Sequence, residues 1–327
     1  MGRHVAGDAP EMDRLVAESI ARIGAEIEAL HVPKLQGVVL GGGYGRGEGG
    51  VIEECKIENV ECKIGGSRSS NADCRLSNDL DFFASTEEGA SAAETAAIAA
   101  ALEPISKEWT ARIGIDVDFI VRTPWRIRHD QDRVMVQELL HGHVDVAGAQ
   151  GETLFRDVAR RPPEEFPWME AARLMMNRGV GLLLALERGE GEFAVRNVNK
   201  CILGAGDARL IVRHAYRWRA TDRAAALDDA LYSAAVEWKF RPRATGVCDW
   251  EKAREVWLAA WTEIAAAEPP ERNLYNTLRW LVRRRTLGDW RTLGLNPVVR
   301  VLRQVAQRIA ERQTLSAALR KDWNIFN

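Results

Sequence analysis

One stretch constrains this chain more than any other: Val38-Val39-Leu40-Gly41-Gly42-Gly43-Tyr44-Gly45-Arg46-Gly47-Glu48, read with the acidic run Ser77-Asn78-Asp79-Leu80-Asp81-Phe82-Phe83 that follows it. Three apolar residues running into a cluster of glycines predict a buried strand end that turns sharply into a helix, its backbone N–H groups facing an anion. Asp79 and Asp81 alternate around Leu80, so on a strand both carboxylates leave the same face. Two like charges so close repel unless a cation lies between them, and an all-oxygen pair suits Mg²⁺ rather than zinc. A phosphate cradle beside a magnesium site implies nucleotide chemistry.

A second acid-bearing strand is expected over Ile113–Val121, where Asp116 and Asp118 share one face and Val117, Phe119 and Val121 the other. A carboxylate inside such an apolar run is costly to bury unless paired or metal-bound, so these acids are expected to line a cleft. Ahead of the glycine turn, Leu15, Val16, Ile20, Ile23, Ile27 and Leu30 recur at helical spacing, which predicts a helix over 11–30 behind a loose tail at 1–10. After the acid pair, Thr86 is placed to cap an alanine-rich helix running to about Glu103. A short helix, a turn at Gly142 and a last strand are expected over 134–146. His141 and His143 lie two apart but lack a third ligand nearby and receive no role.

At 327 residues the chain is long enough for two domains. A formal net charge of −2 gives no bulk electrostatic reason for binding nucleic acid or a membrane surface. No apolar run approaches the roughly 20 residues of a membrane span, and the N-terminus lacks a signal-peptide pattern, so the cytoplasm is the expected location. Five scattered cysteines are read as reduced thiols. Three of them, Cys55, Cys62 and Cys74, fall in the polar segment 50–76, which lacks a CxxC pair or a neighbouring histidine and is read as a hairpin or ordered insertion.

Pro162, Pro163 and Pro167 mark a linker, beyond which the chain reads as successive helices over 168–188, 194–213, 223–239, 249–267, 271–287 and 297–322. Nine of the eleven tryptophans fall here, as expected for an aromatic-rich helical core. Arg196, Lys200 and Asp207 form a polar stripe on the second of these helices. Its two cations suit nucleotide phosphates if the stripe meets the first domain, and water if it does not.

These residues together resemble the nucleotidyltransferase superfamily typified by DNA polymerase β and kanamycin nucleotidyltransferase. The resemblance rests on Gly42-Gly43 with the Gly45-Arg46-Gly47-Glu48 turn, then Asp79-Leu80-Asp81 and a later acidic strand, and covers roughly residues 35 to 150. The spacer from Gly43 to Asp79 is longer than is usual in that family, and position 43 is Gly rather than Ser. The resemblance implies an α/β (α+β) nucleotidyltransferase core with a short mixed sheet over 11–160, carrying the insertion 50–76, followed by an all-α C-terminal helical bundle over 168–327. It implies that Asp79, Asp81 and a third acid, Asp118 or Asp116, hold two Mg²⁺ ions, with Mn²⁺ able to substitute. Gly42 and Gly43 would cradle the phosphates of an NTP, with ATP the expected donor. Arg46 would either add charge there or pair with Glu48 or Glu53, and Lys200 and Arg196 would reach the nucleotide from the bundle. The reaction implied is transfer of a nucleoside monophosphate to a hydroxyl of a small acceptor, with release of pyrophosphate.

Other phosphate-binding readings fit less well. A sugar-nucleotide pyrophosphorylase would place its glycine loop at the start of its domain, a dinucleotide fold would follow Gly45-x-Gly47-x-x-Gly50 with a βαβ unit, and a P-loop would need GK[ST]. Transfer of AMP to a protein side chain, and a non-catalytic nucleotide-binding module, are the alternatives on the same fold.

Overall fold

The computed structural model describes residues 4–53, 74–268, 278 and 296–325. The chain forms two compact units, Met1–Arg161 with Lys239–Arg243, and Pro162–Trp238 with Ala244–Asn327. The first crossing falls in the proline-bearing segment read as a linker.

The first unit is a mixed α/β layer built on a four-stranded sheet of order β5-β4-β1-β6. Its strands are β1 (Leu35–Leu40), β4 (Leu80–Thr86), β5 (Val117–Arg122) and β6 (Val144–Gly148). β1 is antiparallel to both β4 and β6, whereas β4 and β5 run parallel and are joined by the crossover helix α3 (Ala92–Ile113). Alternation along the strands sends Val38, Leu40, Leu80, Phe82, Ala84, Val117 and Val121 into one core with α1 (Pro10–Leu30) and α3. Val39 and Phe83 point the other way, onto Ile127 of α4 (Pro124–His129), Val136, Leu139 and Leu140 of α5 (Val134–His141) and Leu154 of α6 (Gly151–Leu154). The short helix, turn and final strand expected over 134–146 are present as α5, Gly142 and β6.

Two local expectations are corrected. The N-terminal segment is not a loose tail over its described part: His4 and Val5 are buried, their N–H groups donate to Asp13 Oδ1 at 2.6 and 3.2 Å, and Val5 bridges Gly49. Thr86 ends β4 instead of capping a helix. The cap is Ser91, whose Oγ accepts from the Glu94 N–H while Glu94 Oε2 accepts from the Ser91 N–H, and the helix runs to Ile113 because Trp109 continues its buried stripe. The segment 50–76 opens and closes as an antiparallel ladder of β2 (Val51–Glu53) on β3 (Cys74–Leu76); Cys55 and Cys62 lie outside the described residues.

The second unit is helical throughout its described residues: α7 (Trp168–Arg188), α8 (Glu192–Val212), α9 (Ala220–Leu227), α10 (Ala230–Phe240), α11 (Trp250–Ala266) and the helices Pro297–Ala310 and Ala317–Trp323. Tryptophans join these helices. The indole N–H groups of Trp168, Trp250 and Trp257 donate to the carbonyls of Ile264, Leu182 and Met175. The single helix expected over 223–239 is two, because Asp228 takes φ +51 and Asp229 Oδ1 caps the N–H groups of Leu231 and Tyr232. The one expected over 297–322 also breaks, past Ala310, where Arg312 takes φ +54. The helix expected at 271–287 lies outside the described residues apart from Leu278. Among the described residues no helix is long and apolar enough to cross a membrane.

Candidate active site

The same alternation that buries Leu80, Phe82 and Ala84 leaves Asp81 on the opposite face of β4. In the parallel register Asp81 stands opposite Asp118, as Phe82 stands opposite Phe119. Neighbouring strands lie about 4.8 Å apart, so these two carboxylates occupy one rung and one face. Asp116 precedes the strand, and its carbonyl accepts the Leu80 N–H at 2.8 Å. The carboxyl of Asp118 is held above the ordinary aspartate value, first by partial desolvation and then by the negative charges of Asp116 and Asp79. Four acids therefore bear on one end of the β4–β5 pair. Among the described residues no three His, Cys, Asp or Glu side chains are already gathered as a metal-ligand set. The donors nevertheless fit Mg²⁺ by chemistry: all are carboxylate oxygens, and their mutual repulsion is what a hard divalent cation relieves.

The glycine turn abuts this acid cluster. β1 ends at Leu40, opposite Phe82, and the next N–H, that of Gly41, donates to the Asp81 carbonyl at 2.8 Å. Gly42 takes φ +62, and a Cβ built on it would lie 2.6 Å from Asp81 Oδ2. Glycine suits this position, since a side chain would be strained by the left-handed backbone and would push the Asp81 carboxylate aside. The Gly45 N–H closes the single turn of α2 (Gly42–Gly45) on the Gly41 carbonyl, so the N–H groups of Gly42, Gly43 and Tyr44 have no acceptor within that helix.

Arg46, expected either at the phosphates or paired with a glutamate, is paired. It reaches Glu138 of α5 at 3.0 Å and Glu48 at 3.8 Å, and Glu48 also binds Lys239 at 3.0 Å. The Arg46 side chain is 13% exposed and its buried Nε finds no hydrogen-bond partner, an arrangement that costs roughly 1–3 kcal/mol. The guanidinium clamps the turn to α5. Glu138 was not singled out by sequence, because its link to Arg46 spans 92 residues. Of the two histidines given no role, His143 is occupied structurally, its Nδ1–H donating to the Leu139 carbonyl and its ring edge-on to Phe155.

Arg196 and Lys200 lie on α8 of the second unit. Asp207 of the same helix is engaged within the second unit. Its carboxylate takes the Tyr232 hydroxyl at 2.5 Å and Arg223 Nε at 2.9 Å, within a buried network tying α8 to α9 and α10. Compared with models of known protein families and with curated proteins, the chain matches none.

Proposed function

We propose that the first unit is the catalytic core of a nucleotidyltransferase that moves a nucleoside monophosphate from an NTP, with ATP the expected donor, to a hydroxyl of a small acceptor. The observation that carries this reading is Asp81 and Asp118 on one rung of parallel strands, with Gly42 seated against Asp81. Asp79, Asp81 and Asp118 would hold Mg²⁺, which when bound neutralises triphosphate charge and acidifies a hydroxyl. The carboxylate of Asp118 would orient the acceptor hydroxyl or take its proton. The hydroxyl oxygen bonds to the α-phosphorus as the bond to the bridging α–β oxygen breaks, and the electron pair departs with pyrophosphate. Gly42 and Gly43 offer backbone N–H groups to the leaving phosphates, and Arg46 acts by fixing the turn.

A net charge of −2 and the scarcity of clustered basic residues favour a small hydroxylated acceptor over a nucleic-acid end. The test is pyrophosphate release from each NTP with Mg²⁺ or Mn²⁺, against hydroxylated small molecules and against the protein itself. Release that is lost in Asp81→Asn and Asp118→Asn supports the reading. Label appearing on protein instead of a small molecule moves the acceptor to a side chain, and nucleotide binding with no release under any condition favours the non-catalytic module.

A further inference from the structure

Tyr44 is the one side chain within the single turn of α2, and it is 1% exposed. Its hydroxyl donates to the Gly50 carbonyl at 2.8 Å and accepts the Ser77 N–H at 3.2 Å. The Asn78 N–H bears on the same oxygen; both amides favour the phenolate, while burial outweighs them and pushes the phenol up to about 12. The ring is boxed in. The backbone at Gly49 lies so close that any side chain there would run into the ring, and the Gly49 N–H is itself held by the His4 carbonyl at 3.0 Å.

One short turn therefore touches the acid segment at both of its ends. Gly42 meets the Asp81 carboxylate, and Tyr44 holds the backbone N–H of Ser77, two residues before Asp79. The β4 ladder begins only at Leu80, so Asp79 lies outside the rungs that fix Asp81. The Ser77 side chain adds no hydrogen bond, its buried Oγ having no partner. The backbone bond to Tyr44, with the Ser77 N–H also 3.2 Å from the Gly50 carbonyl, places this segment.

We propose that the Tyr44 hydroxyl is a positioning group for the acid cluster: it fixes Asp79 relative to Asp81 and Asp118, and so sets the affinity of the cluster for a divalent cation. The inference rests on reading these acids as metal ligands. Groups that orient metal ligands from behind typically change affinity 10- to 100-fold when removed. Tyr44 acts through backbone, so a loss of roughly tenfold is expected.

The experiment is titration of nucleotide-free protein with Mn²⁺, free ion being read by electron paramagnetic resonance, in wild type, Tyr44→Phe and Asp81→Asn. It is accompanied by hydrogen exchange over Leu76–Leu80 and a thermal melt. The expected result is no Mn²⁺ binding in Asp81→Asn, roughly tenfold weaker binding in Tyr44→Phe with faster exchange at that peptide, and recovery of pyrophosphate release in Tyr44→Phe at raised Mn²⁺. Placing 4-aminophenylalanine at position 44 restores the donor to Gly50 but not the acceptor for the Ser77 N–H, so it returns melting temperature toward wild type while Mn²⁺ affinity stays low. It also decides the matter if Tyr44→Phe melts early, because affinity that returned with the donor alone would tie the loss to folding and overturn the positioning role. Unchanged Mn²⁺ affinity in folded Tyr44→Phe overturns the positioning role and leaves the reading of the acids standing. Identical titrations of wild type and Asp81→Asn overturn that reading, and this inference with it.

Discussion

The two faces of the four-stranded sheet are made from alternate residues of the same strands, yet they carry different burdens. On one face Leu80, Phe82, Val117 and Phe119 pack beneath α1 and α3, with Phe82 and Phe119 stacked at 5.1 Å. On the other, Phe83 and Val39 are covered by α4–α6 while, at the end of the same strands, Asp81 is half-buried and Asp118 exposed. A single residue step separates the group that holds the sheet together from the group suited to chemistry. Parity thus allows stability and reactivity to be altered separately.

The largest effect expected from testing that separation is on the acid face. Asp81→Asn lowers pyrophosphate release by roughly a thousandfold, about 4 kcal/mol of barrier, with no loss of melting temperature. Its neighbour Phe82 is fully buried, and Phe82→Ala costs about 3–5 kcal/mol of stability by denaturant titration. If Asp81→Asn destabilises as much as Phe82→Ala does, the two faces are not separable. Gly42→Ala falls between them: the left-handed backbone adds roughly 1–2 kcal/mol of strain, and the new methyl displaces the Asp81 carboxylate, so stability and rate fall together.

The smallest effect has the most telling sign. Because the folded-state pKa of Asp118 is raised, this group favours folding below the unfolded aspartate value, about 3.8, and that contribution is lost as pH rises through the folded pKa. Asp118→Asn therefore melts slightly higher than wild type at pH 7, the advantage vanishing toward pH 3, while its transfer activity is lost. A variant that melts lower at pH 7 would mean that Asp118 is held by a favourable partner instead of strained by its neighbours.

Part of the candidate site was legible because alternation is local: Asp81 between Leu80 and Phe82, and Asp118 between Val117 and Phe119, declare their face, whereas Asp79 precedes the ladder. Register is not local. Asp116 and Asp118 share parity, and only the pairing of β5 with β4 across α3 sets Asp118 opposite Asp81. Tyr44 was readable only as an anomaly, a large apolar ring among glycines that has to be buried somewhere; the somewhere lies at Gly50 and Ser77. The N-terminal segment was missed because its anchor is the Asp13 carboxylate and not a periodic pattern. The long helix over 223–239 failed at Asp228-Asp229, where side-chain capping of local amides outcompetes the helical preference of the alanines around it. Asp207 looked like surface until Arg223 and Tyr232, far along the chain, closed on it.

The β2–β3 ladder has a consequence for engineering. Glu53 and Cys74 are paired residues, so the chain leaves and re-enters the domain about 5 Å apart. Loop-closure entropy grows only logarithmically, about 0.6 kcal/mol for each doubling of length. A reporter or affinity tag joined between Glu53 and Cys74 is therefore expected to leave the turn and the acids on the rungs that define them, which hydrogen exchange over β4 would check.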